Sequence, residues 1–136
     1  MNALARFVAP ALLLLLVACG SGNVKNSPDK VFFDYNGAIR WSEFDQAWAF
    51  VDPAVRIEKP LTDLERERFK QIQVTGYEVK SRDDSQPGII DQVVEIRLIG
   101  KNTQAERTIL DHQTWRWDEA GKHWWLMSGL PNFDNQ

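Results

Sequence analysis

The sequence predicts an α+β fold, with N-terminal helices packed on a curved antiparallel sheet of about four strands. Two observations carry that prediction. Apolar residues recur at helical spacing up to about residue 70, and from Ile72 onward β-branched and aromatic runs are cut by turn-forming segments. Helices first and strands afterwards put the helices on one face of the sheet. A third observation sets the start of the chain apart: one cation, an uncharged apolar run and a small polar stretch precede the domain.

The elements follow in order. Ser27-Pro28-Asp29 reads as a helix start, with Ser27 as N-cap and Pro28 at the first helical position. Phe32, Tyr35 and Ile39 form one apolar stripe with Val31 and Ala38 alongside, and Asn36-Gly37 weakens its middle. Ser42 offers a second N-cap ahead of Phe44, Ala47, Trp48 and Val51, and Asp52-Pro53 stops that helix. Val55-Arg56-Ile57 reads as a short extended piece. Thr62 and Glu65 have capping-box spacing and open a charged helix from Asp63 to Lys70. Its run Glu65-Arg66-Glu67-Arg68 is a solvated face of alternating sign.

The strands are expected at 72–80, 89–98, 105–118 and 123–130, joined by short loops that suit antiparallel neighbours. Ile90, Val94, Ile96 and Leu98 share one face, with Asp91, Glu95 and Arg97 on the other. If Trp115 and Trp117 face the core, Asp111 and Gln113 share that side by the period of two, and Gln92 sits among inward apolar neighbours. A bulge near residues 111–113 would reverse this parity and turn Asp111 outward. Asp111, Gln113, Gln92 and Tyr77 are therefore candidates to line an amphipathic pocket, where a carboxylate would have a raised pKa.

Composition excludes several functions. A balance of 16 Lys and Arg against 19 Asp and Glu offers no general attraction for nucleic acid. A single cysteine forms no internal disulfide and no cysteine-rich zinc site. His112 and His123 lack ligand spacing, and the nucleophile-elbow, phosphate-loop and zinc-helix motifs are absent from the sequence. No metal, cofactor or catalytic residue is assigned. Six tryptophans remain to be accounted for. Core filling is the simplest account, but Trp41 and one of the adjacent pair Trp124 and Trp125, which must point to opposite sheet faces, are candidates for an exposed interaction surface.

Residues 1–18 read as a secretory signal peptide: Arg6, then twelve uncharged residues from Phe7 to Ala18, too short to span a bilayer. Leu16-Val17-Ala18-Cys19 resembles the lipobox of bacterial lipoproteins. The resemblance implies that Cys19 is the lipidation site and the first residue of the mature chain. It carries diacylglyceryl and fatty acyl groups such as palmitate, and holds the protein in the cell envelope. Gly20 in place of aspartate implies the outer membrane rather than the inner one, with periplasm or cell exterior left open. Residues 19–27 are the lipidated N-terminus and flexible tether, and 28–136 the domain.

The order of two helices, a short strand, a short helix and a long meander is similar to the nuclear transport factor 2-like fold, a cone-shaped α+β roll. Phe33-Asp34-Tyr35-Asn36-Gly37-Ala38-Ile39, Val51-Asp52-Pro53 and the tryptophan-bearing hairpin around Trp115-Arg116-Trp117 and Trp124-Trp125 carry that likeness. The fold hosts isomerases, dehydratases, carriers and partner domains alike, so it implies no single reaction. Three readings follow: a non-catalytic envelope lipoprotein binding a protein partner, a carrier of a small apolar or lipid-like ligand in the cone, and an isomerase- or dehydratase-type enzyme.

Overall fold

The computed structural model describes residues 27–134, so the signal peptide, Cys19 and most of the tether lie outside the described residues. Four helices, α1 (Pro28–Arg40), α2 (Phe44–Trp48), α3 (Pro53–Glu58) and α4 (Asp63–Lys70), precede four strands, β1 (Ile72–Asp83), β2 (Ile89–Gly100), β3 (Glu106–Asp118) and β4 (His123–Leu126). The strands form one open antiparallel sheet in the order β1-β2-β3-β4. The α+β class and the four strands match the expectation.

Local chemistry explains the helices. The Ser27 hydroxyl accepts the Lys30 N–H and Pro28 opens α1, which runs through Asn36-Gly37 without a break. Its buried residues Val31, Tyr35, Ala38 and Ile39 compensate for a weak centre by packing, which outweighs about 1 kcal/mol of glycine propensity. The capping box of α4 is complete: Glu65 N–H reaches the Thr62 hydroxyl, and the Glu65 carboxylate accepts the Thr62 N–H at 2.8 Å. That bond holds the Glu65 carboxyl below its ordinary pKa.

Three expectations are corrected. Ser42 is not the cap of α2; it lies in the left-handed region at φ 58°, turns the chain between α1 and α2, and its hydroxyl accepts the Val74 N–H at 3.3 Å. Glu43 takes the cap position without a side-chain bond. Residues 55–57 are helical rather than extended, because Asp52-Pro53 starts a helix; it does not stop α2, which has already ended at Trp48. The Asp52 carboxylate accepts Ala54 N–H at 2.8 Å, and Pro53 stands in the first turn. Finally, β4 ends at Leu126, four residues early, and Gly129 then turns at φ 78°. Val51, three residues beyond the end of α2, bridges Leu126 in parallel on the free side of β4.

Asp52 ties these pieces together. Nearly buried, it caps α3 and receives Arg116 Nη2 from β3 at 2.9 Å. Replacing it with alanine removes a cap and a charge-assisted bond at once, and Asp52→Ala is expected to lose about 2–3 kcal/mol of stability in urea unfolding. Asp52→Asn keeps the cap oxygen and should lose about half as much.

Even-numbered residues of β2 from Ile90 to Leu98 and odd-numbered residues of β3 from Ile109 to Trp115 face the helices. In β1, register shifts after Val74 and after Val79 move Tyr77, Val79 and Arg82 onto that same face. The core runs from α1 and α2 across this face, centred on Trp115 between Phe32 (4.9 Å) and Tyr35 (5.1 Å).

Candidate functional site

The helix-covered face of the sheet brings four sequence-predicted residues into one hydrogen-bonded cluster. The pairing of β2 with β3 is unbroken, so no bulge reverses the parity: Gln92 stands directly opposite Gln113, and Val94 opposite Asp111. Gln113 is the hub. Its Oε1 accepts from Gln92 Nε2 at 2.7 Å and from Trp115 Nε1 at 3.2 Å. Its Nε2 donates to Asp111 Oδ2 at 2.7 Å and to the Tyr77 hydroxyl at 3.1 Å. An indole N–H only donates and a carboxylate only accepts, so these two neighbours fix which way the amide points.

Burial sets the electrostatics. Asp111 is 9% exposed, and desolvation pushes its carboxyl up to about 6, against the lowering effect of the Gln113 amide. The Tyr77 phenol is raised by burial more than the Gln113 bond lowers it. Sequence reasoning missed Tyr35, which it placed in the apolar stripe of α1. Its ring is in the core, but its hydroxyl is buried with no hydrogen-bond partner. Burial first, and then the charges of Asp111 and Tyr77, raise its pKa. A tyrosine within a stripe that faces polar strand residues is the signal that would have found it.

The cluster can hold a carboxyl that titrates near neutrality beside two phenols. It contains no nucleophile paired with a base, and its only acid is already engaged by Gln113. Among the described residues no group of three or more His, Cys, Asp and Glu side chains is placed to hold a metal. His112 is exposed on the opposite sheet face, and His123 meets Trp125 edge-to-face with ring centroids 4.3 Å apart, where burial lowers its pKa despite Asp118.

The tryptophan surface divides. Trp41 is 80% exposed at the end of α1 and lines a groove of about 370 Å³ with Arg40, Ser42 and Lys101. Trp124 and Trp125 point to opposite faces as expected, but Trp124 is buried against Trp117 at 5.5 Å and belongs to the core. Trp125 is half-buried, with its N–H directed at Asp118. A larger cleft of about 530 Å³ opens between α4, the β2–β3 turn and the C-terminal segment, with Phe69, Ile72, Leu130 and Phe133 beside Arg68 and Arg107. Among the described residues no helix is long and apolar enough to cross a membrane. Comparison with known protein families, curated proteins and solved structures finds no match to this chain.

Proposed function

We propose that this chain is an envelope lipoprotein, anchored in the outer membrane through Cys19, whose nuclear transport factor 2-like domain binds another envelope protein without catalysis. The lipobox-like Leu16-Val17-Ala18-Cys19 supports the anchor. The open four-stranded antiparallel sheet preceded by helices supports the fold family. One observation carries the non-catalytic reading: Trp115, Tyr35 and Gln113 are fully buried over the sheet, and Gln92, Asp111 and Trp115 all spend their polar groups on Gln113. The docking surface is the cleft beside α4, where apolar side chains meet two arginines.

A photo-reactive amino acid at Asn132, exposed on the rim of that cleft, tests the proposal in native membranes. One defined protein adduct is expected, absent when the same group replaces Thr108 on the outer sheet face. Equal labelling from both positions would overturn it. A carrier function is the second reading, favoured by the unpartnered Tyr35 hydroxyl, which a small bound molecule would satisfy. A ligand co-purifying in place of the adduct would select it.

A further inference from the structure

We propose that the outward face of α1, bearing Phe33 and Trp41, lies against the bilayer interface beside the lipid anchor. The inference rests on the anchor at Cys19. Helix α1 buries Val31, Tyr35, Ala38 and Ile39 on its inner side. On the other side Phe33 is 75% exposed and Trp41 80%, the two large aromatics that the domain leaves most open to water. They stand eight residues apart, about 12 Å along the axis and within a sector of about 80°. Gly37 lies between them, and a Cβ built there would meet nothing within 4 Å, so no other part of the domain covers the helix at that point.

The chain's connectivity selects lipid as the occupant. The segment before α1 ends at its N-cap, Ser27, and only residues 20–26 separate that cap from Cys19. Such a stretch reaches at most about 25–30 Å. A lipid on Cys19 therefore keeps this helix, before any other element, within reach of the headgroups at high effective concentration. Indole and phenyl rings partition to that region, with the indole N–H left among polar headgroups. Arg40 flanks Trp41 and forms no ion pair among the described residues, so it is free to meet lipid phosphate. The domain's excess of acid gives no general attraction, so the contact is a local one made by rings under a tether.

The test uses protein isolated from membranes and reconstituted in vesicles of phosphatidylethanolamine and phosphatidylglycerol, with ordinary or brominated acyl chains. Bromine quenches indoles in contact with the bilayer. With Trp41 one of six tryptophans, wild-type emission is expected to fall by about one sixth in brominated vesicles. Trp41→Phe should lose no emission, and Phe33→Ser should at least halve the wild-type loss. Both positions are exposed, and circular dichroism checks that the variants fold. Equal wild-type emission in the two kinds of vesicle would overturn the proposal. The intact mass of the same preparation separates the two readings. A bare thiol at Cys19 would sink the anchor, and coupling that thiol to a maleimide-bearing phosphatidylethanolamine then tests the α1 face on its own.

Discussion

Trp115→Ala is expected to cost about 3–5 kcal/mol, the range for emptying a fully buried large aromatic site, read as a fall in urea midpoint at unchanged slope. The effect is large because three separate things end together. The indole fills the space between Phe32, Tyr35 and Phe50, with ring centroids 4.9, 5.1 and 6.5 Å away. It stands opposite Ile90 on β2 and Leu126 on β4, so its loss loosens both sides of β3. Its N–H is also one of the donors that orient the Gln113 amide. A domain of this size has about 5–15 kcal/mol in all, so the variant should be largely unfolded at moderately raised temperature. Trp115→Phe keeps most of the volume and leaves Gln113 Oε1 its bond from Gln92, and should lose less than half as much. Trp117→Ala, half-buried at the sheet's end, is the control, with a cost of about 1–2 kcal/mol. Equal losses at 115 and 117 would mean that the core is not centred on Trp115.

What the sequence disclosed was what depends on neighbours in the chain. Helix α4 was legible, because Thr62 and Glu65 satisfy each other's backbone groups within four positions. The inward set Asp111, Gln113 and Trp115 was legible because β3 pairs with β2 without a slip, so a period of two carries through. Tyr77 was not fixed by the same rule. Strict alternation from Val74 sends it to the outer face, and only the bulge at Thr75 returns it. That bulge is tied to distant groups: the Ser42 hydroxyl on Val74, and the Arg97 guanidinium lying over Gly76, where a Cβ would come within 2.6 Å of it. Helix α3 was missed because Asp-Pro carries opposite instructions for the residues before and after it. The partner of Asp52 that fixes α3 in place is Arg116, sixty-four positions away.

Asp111→Asn is expected to stabilise the protein at pH 7.5 by up to about 3 kcal/mol and to change it by less than about 1 kcal/mol at pH 4. The sign follows from burial. The folded carboxyl titrates at about 6 and the unfolded one at its ordinary 3.8, so between these values the folded chain holds the proton more tightly. Stability contributed by this group is therefore full below about pH 4, falls as pH rises toward 6, and stays low above it. Other carboxyls run the opposite way: Glu65, Asp83, Asp118 and Glu119 are held below their ordinary values by hydrogen bonds, and their contribution is lost at more acidic pH. Subtracting the variant's pH profile from the wild type's isolates the Asp111 step. Asparagine retains an oxygen for the Gln113 amide, which Asp111 accepts at 2.7 Å, so the network survives and only the buried charge is removed. A variant less stable than wild type at pH 7.5 would mean that the carboxylate is held by a partner worth more than its desolvation. A protein that keeps such a costly anion in its interior would then be using it, and the helix-covered sheet face rather than the outer cleft would become the place to look for function.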